Sequence, residues 1–185
     1  MNVFNLLYRL FLTFNATSLI LVVYLVKKRI FINFSGYSHF VSSLASCILY
    51  CLVPLVLTYL SVLLSKELDD DSIESVNGES VINVVELANN AYLPSYLGYF
   101  FVALSIENCN TMIFVFFIIF LFTYLSQSLY FNPILLVLGY HFYYLTTITN
   151  IRIFIISRRN FKNPKTLYFL HLKRINNFTF IDKDN

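Results

Sequence analysis

The sequence contains no tryptophan and few charged residues. Asp, Glu, Lys and Arg together make up 12% of its 185 residues, whereas 58% are hydrophobic. A water-soluble globular protein carries about 25% charged residues. From Asn108 to Ile151 the chain has no Asp, Glu, Lys or Arg at all. This composition excludes an ordinary soluble domain and predicts an all-α, polytopic transmembrane protein.

The uncharged stretch is too long for one membrane crossing. As a continuous helix it would measure about 66 Å at ~1.5 Å per residue, roughly twice the ~30 Å hydrocarbon core. It must therefore turn once, and the turn is predicted over residues 126–133, which end in Asn132 and Pro133. Asn132 reads as a helix N-cap and Pro133 as the first helical residue, because proline lacks only an N–H that would be unpaired there.

Apolar runs elsewhere predict further spans. The first is longer than a signal-peptide core and its basic cluster follows the run instead of preceding it, so we expect a retained span. The predicted organisation is four spans at about residues 6–26, 41–64, 96–125 and 134–156, an acidic loop at 66–91, and a basic tail at 158–185. A separate short span at 92–106 would make five.

The distribution of charge bears on topology. The positive-inside rule places the basic tail, and hence the C-terminus, in the cytoplasm. With four spans the N-terminus is also cytoplasmic and the cluster Lys27, Lys28 and Arg29 faces outward, against the rule. With five spans that cluster faces inward and the acidic loop faces outward. Charge favours five spans and length favours four, so the sequence leaves both open.

Glu107 is the one charged residue between Glu86 and Arg152. At membrane depth it would be protonated or paired and would mark an ion path, a relay or a helix contact. If residues 92–106 form a separate span, Glu107 lies in the connecting turn and is solvated. Both interpretations remain open.

Small residues and the tail indicate contact surfaces. Ser42, Ala45 and Ser46 have the small-xxx-small spacing that lets another helix approach closely. In the tail, Arg158 and Arg159 would hold anionic lipid headgroups at ~1 kcal/mol each. A surface helix would align three further residues for docking into a partner groove, or the tail would lie along the anionic leaflet. Those docking residues are Leu167, Leu170 and Arg174.

The chain has no recognisable catalytic or metal-binding pattern. Its three histidines are dispersed, and its four glycines form no phosphate-binding loop. We therefore expect no enzyme activity, cofactor, metal or direct nucleic-acid binding. A small channel or transporter subunit, or a membrane-permeabilising toxin, remains an alternative to a sensor or scaffold.

Three short aromatic motifs give a more specific indication. They are Leu93-Pro94-Ser95-Tyr96-Leu97-Gly98-Tyr99-Phe100, Tyr130-Phe131-Asn132-Pro133 and Gly139-Tyr140-His141-Phe142-Tyr143, closed by Ile156-Ser157-Arg158-Arg159. Over roughly residues 90–160 the chain resembles KwaA, the small membrane component of Kiwa anti-phage defence systems. The resemblance implies a bacterial inner-membrane homo-oligomer that senses phage infection at the envelope. It also implies a partner, a cytoplasmic DNA-binding effector.

Overall fold

The computed structural model describes residues 3–34, 36, 38–73, 80–91, 93–126, 132–164 and 167–183. The helices are α1 (Val3–Lys27), α2 (His39–Leu64), α3 (Leu93–Ser105), α4 (Cys109–Ser126) and α5 (Pro133–Val137). A 3-10 turn, Ser65–Glu67, continues α2. The strands are β1 (Asp70–Ile73), β2 (Ile82–Leu87), β3 (His141–Thr147), β4 (Arg152–Ser157), β5 (Phe169–Asn176) and β6 (Thr179–Asp182).

Helices α1 to α4 form a bundle around α1. The Tyr96 hydroxyl of α3 donates a 2.6 Å hydrogen bond to the Ala16 carbonyl of α1. Lys27 Nζ donates a 2.8 Å bond to the Ile106 carbonyl just beyond α3. Helix α3 therefore runs in the same direction as α1, and α4 returns, because the Arg9 guanidinium lies over the Tyr124 ring. We call the end near Lys27 and Ile106 the far end of the bundle.

The bundle has a polar interior and an apolar surface. Thr13, Asn15 and Thr17 of α1 and Ser46 and Thr58 of α2 are buried. Large side chains on α2, α3 and α4 face outward instead, among them Phe40, Phe101, Phe114, Phe117 and Phe122. Among the described residues, three helices are long and apolar enough to cross a membrane: α1, α2 with its 3-10 turn, and α4; α3 is apolar but shorter. A water-soluble protein has the opposite arrangement, with an apolar interior and a polar surface, so this bundle suits a lipid environment.

The six strands form one mixed sheet in the order β1-β5-β6-β4-β3-β2. Strands β4 and β6 pair in parallel, and the other neighbours are antiparallel. The two edge strands come from the segment between α2 and α3, and the four inner strands come from the last third of the chain. The acidic segment and the basic tail are thus parts of one folded unit.

The sheet packs against the end of the bundle opposite the far end. Tyr8 and Leu12 of α1 and Val62 of α2 share a core with Phe142 and Ile156 of the sheet. On its other face the sheet buries a second core, which Phe161 and Leu167 help to cover; this core contains Ile82, Tyr143, Leu145, Ile153, Ile155, Phe169, Leu172 and Phe180. The bundle therefore has a sheet end and a far end.

The predicted all-α fold class is wrong. The expected fourth span at 134–156 is the five-residue helix α5 followed by strands β3 and β4. The tail at 158–185 contributes strands β5 and β6, so the expected surface helix does not form there. Strands buried on both faces lose the alternation of polar and apolar residues and resemble a membrane helix in composition.

The remaining predicted spans correspond to helices with different boundaries. Spans 6–26 and 41–64 lie within α1 and α2, whereas 96–125 covers two helices, α3 and α4, separated at 106–108. Residues 127–131 of the predicted turn and residues 74–79 of the acidic loop lie outside the described residues.

Candidate functional site

The charges that are separated along the sequence meet across the sheet. Asp70 and Asp71 of β1 form ion pairs with Lys173 and Arg174 of β5, at 2.8 Å and 2.6 Å. At the opposite edge, Glu86 of β2 pairs with Arg152 of β4 at 2.6 Å. Each pair has at least one side chain that is half or more exposed, or close to it, so each adds little stability. Together they neutralise three acidic residues of the segment between α2 and α3.

A cavity of about 410 Å³ lies where α2 meets the sheet. We call it the cationic cavity. Its lining residues are Tyr59, Val62 and Leu63 of α2, Lys66 of the 3-10 turn, and Tyr140, Arg158, Lys173, Asp182 and Lys183 of the sheet region. Four cations and one carboxylate therefore surround the same space.

Positive charge in this cavity is only partly compensated. Lys173 pairs with Asp70, and the Asp182 carboxylate already accepts bonds from the Ser157 hydroxyl at 2.6 Å and Arg159 Nε at 2.9 Å. Lys66, Arg158 and Lys183 form no ion pair within the part of the chain that the structure describes. The cavity thus has an excess of positive charge and is suited to an anion.

The electrostatics around Lys183 reflect this crowding. Burial, together with the neighbouring charges of Lys66, Arg158 and Lys173, lowers the pKa of Lys183 from 10.5 to about 8, and Asp182 opposes the shift. Its ammonium donates a 2.9 Å bond to the Val62 carbonyl. An anion in the cavity would favour the charged form of this lysine.

The aromatic side chain of Tyr140 forms part of the cavity wall. Arg158 lies 4.6 Å above the centre of the Tyr140 ring, a cation–π arrangement that fixes the direction of its guanidinium. Burial raises the pKa of Tyr140, with Arg158 opposing and Asp182 adding to the shift. Tyr140 therefore stays neutral at physiological pH, and its hydroxyl remains available as a hydrogen-bond donor.

The structure separates the two arginines predicted to bind headgroups. Arg158 is exposed and lines the cationic cavity. Arg159 pairs with the buried Asp182 and lies over the rings of Phe161 and Phe169, so it stabilises the sheet.

The three predicted docking residues do not share a helix face. Leu167 precedes β5 and packs into the second core of the sheet, whereas Leu170 is 53% exposed. Arg174 of β5 is held by Asp71 through two hydrogen bonds. Of the three, Leu170 is the exposed apolar one.

Glu107 lies in the break between α3 and α4, at the far end of the bundle, with an exposed side chain.

Asn132 caps α5: its Oδ1 accepts a 3.0 Å bond from Ile134 N–H, and Pro133 follows as the first helical residue. Its Nδ2 donates to Thr58 Oγ1 at 2.8 Å, which ties α5 to α2.

The small-residue face of α2 receives an extended segment of chain. Ser42 and Ser46 are buried and Ala45 is half-buried. The Ser46 hydroxyl accepts a 2.9 Å bond from Ile32 N–H and also lies 3.3 Å from the Ile32 carbonyl oxygen. The close approach that this spacing permits is used by the connection between α1 and α2.

Sequence patterns did not indicate five residues of the cationic cavity: Lys66, Lys173, Lys183, Tyr140 and Asp182. Lys66 could have been noticed, because it is the single basic residue between Arg29 and Arg152 and it follows a predicted span directly. The others lie far from it in sequence, and only the pairing of the tail with the acidic segment brings them together.

Comparison with known proteins gives one family. A family model described as anti-phage protein KwaA matches residues 8–181. The match confirms the resemblance carried by the motifs between residues 90 and 160 and extends it to nearly the whole chain. No curated protein and no solved structure matches the chain.

Proposed function

The chain belongs to the KwaA family of anti-phage proteins, and on this premise we propose that it is the membrane-embedded sensor and scaffold subunit of an anti-phage defence complex. In this proposal it has no enzyme activity. The sheet recruits a cytoplasmic DNA-binding effector, and the bundle assembles as a homo-oligomer in the bacterial inner membrane.

The observation that carries the proposal is the division of the molecule into two unlike parts. The bundle buries hydroxyl and amide side chains and exposes phenylalanine, as a lipid-facing unit does. The sheet has two buried cores and exposed ion pairs, as a water-facing unit does. A membrane protein with one aqueous domain is the simplest function class that fits both.

The proposed orientation places the sheet in the cytoplasm. Apart from Lys27, Lys28 and Arg29, the Lys and Arg residues that the structure describes lie at the sheet end of the bundle or in the sheet segments. The positive-inside rule therefore favours a cytoplasmic sheet, with the N-terminus and C-terminus on the same side. Helices α1, α2, α3 and α4 then cross in four passes, and Glu107 faces outward.

Cysteine labelling in intact cells tests this orientation. Cys109 is exposed at the far end, so a membrane-impermeant maleimide should label it from outside. A cysteine placed at exposed Lys162 of a variant without native cysteines should react only after permeabilisation. The reverse pattern would refute the orientation, and loss of the protein from carbonate-washed membranes would refute membrane embedding itself.

A further inference from the structure

The cationic cavity continues into an apolar track on α2. Residues along one side of the helix follow each other at steps of four, four, three and four, so they lie on one face. Each is 41% to 54% exposed. These residues are Ile48, Leu52, Val56, Tyr59 and Leu63. We call this face the α2 stripe.

The α2 stripe and the cationic cavity share two residues. Tyr59 and Leu63 belong to the α2 stripe and also line the cavity. The stripe extends about 22 Å along the helix at ~1.5 Å per residue, most of the ~30 Å depth of a hydrocarbon core. A molecule with an anionic head and a long apolar chain could therefore bind with its head in the cationic cavity and its chain along the α2 stripe.

We propose that the cationic cavity binds the phosphate-bearing headgroup of an anionic phospholipid, whose acyl chain lies along the α2 stripe. Lys66, Arg158 and Lys183 supply positive charge, and the Tyr140 hydroxyl supplies a further donor. The cavity lies at the C-terminal end of α2, which is the headgroup level of a membrane-spanning helix. Inorganic phosphate offers the same anion chemistry but has no acyl chain to contact the α2 stripe.

The proposal rests on the proposed membrane embedding and assigns the sheet end a specific ligand. A lipid held there would touch α2 and the sheet together, because Lys66 belongs to the helix turn and Arg158 and Lys183 belong to the sheet region. Lipid binding in the cavity would thus make the packing of the sheet against α2 depend on the lipid composition of the leaflet.

The experiment uses the full chain, purified in detergent after carbonate-washed membranes have established that each variant inserts. The midpoint of thermal unfolding is measured against added phosphatidylglycerol, phosphatidylcholine, short-chain phosphatidylglycerol and inorganic phosphate. The test variant is Lys66→Gln with Arg158→Gln, and Lys66→Gln alone is a milder form. The matched control is Lys28→Gln with Lys162→Gln, which removes the same charge outside the cavity.

Phosphatidylglycerol should raise the midpoint of the wild type and of the control, and phosphatidylcholine should not. The double variant should need roughly 25-fold more phosphatidylglycerol for the same shift, because each basic residue near a headgroup contributes about fivefold. Equal shifts with phosphatidylcholine, or unchanged affinity in both cavity variants, would overturn the proposal. An equal shift with inorganic phosphate or the short-chain lipid would also overturn it, in favour of a free anion site. Failure of the wild-type protein to insert into membranes would instead contradict the proposed membrane function.

Discussion

Lys183 Nζ lies 2.9 Å from the carbonyl oxygen of Val62, to which it donates a hydrogen bond. This contact connects the residue after β6 to the last buried turn of α2. Carbonyl groups at a helix C-terminus lack intrahelical partners and favour a nearby cation. The end of the sheet is thereby attached to the C-terminal end of α2.

The depressed pKa of Lys183 predicts a pH dependence of stability. The folded state binds its proton with a pKa of about 8 and the unfolded state with about 10.5. Between these values the unfolded state holds more protons, so the free energy of unfolding should rise with pH across this window. The charged groups facing the ammonium, which shape the shift, are Lys66, Arg158, Lys173 and Asp182.

Lys183→Met should remove most of this rise. The measurement is the thermal midpoint in detergent from pH 7.5 to 10. Lys162→Met, which removes an exposed lysine elsewhere, should keep the wild-type slope. Identical slopes for Lys183→Met and the wild type would show that another group is responsible.

Asp182 should matter far more for stability than the exposed acids of the sheet. Its carboxylate is buried and bonds to Ser157 and Arg159, so Asp182→Asn leaves a partly buried arginine without its counter-charge. We expect a loss of about 3 kcal/mol in the free energy of unfolding. Glu86→Gln, which breaks an exposed pair with Arg152, should cost less than ~1 kcal/mol. Denaturant titration measures the free energy of unfolding of both variants. Similar losses in the two would contradict the larger stabilising role of Asp182.

Asn132 has two separable roles, capping α5 and bonding to Thr58. Asn132→Ala loses both and should cost about 2 kcal/mol, about one for the cap and about one for the buried hydrogen bond. Asn132→Ser retains a capping oxygen but is too short to reach α2, so it should cost about half as much. Denaturant unfolding measures both. Equal losses would mean that the cap contributes nothing.

Effector recruitment can be tested without disturbing the fold by using Leu170. Leu170→Ser should reduce co-purification of the cytoplasmic effector and leave the unfolding midpoint unchanged, because this side chain is exposed. Leu167→Ser should lower the midpoint by removing a contact from the second core. Phe178→Ser, another exposed apolar residue, serves as the control. Full retention of the effector by Leu170→Ser would exclude recruitment through this part of β5.

Sequence composition predicted lipid-compatible helices but could not reveal the sheet. The run from Ile134 to Ile151 is uncharged, as a membrane span is, and residues 153–156 are apolar again after the single Arg152, because β3 and β4 are buried on both faces. Signals for strands were nevertheless present: Gly139 has φ +81° where α5 ends, and Asn150 has φ +59° at the turn between the strands. Both residue types tolerate this left-handed conformation.

The tail misled for a different reason. The predicted surface helix rested on the spacing of Leu167, Leu170 and Arg174 at steps of three and four. The buried residues of β5 also follow each other at steps of three, as in a helix: Phe169, Leu172 and Ile175. In the structure, shifts in register with β1 and β6 interrupt the alternation of β5. A bulged strand therefore produces a spacing that periodicity alone assigns to a helix. The cationic cavity was unpredictable for the same reason, since it depends on where this strand pairs.

The position of β6 has a consequence for synthesis. It is the last of the six strands to be translated, yet it lies in the middle of the sheet between β5 and β4. Until Thr179–Asp182 emerge from the ribosome, β1 with β5 and β2 with β3 and β4 can exist only as two separate pieces. The helices, which are made of earlier and more local segments, can insert first. In the proposed membrane embedding, a nascent chain would be anchored before its sheet can close, and a product truncated before β6 would carry the helices without the cavity.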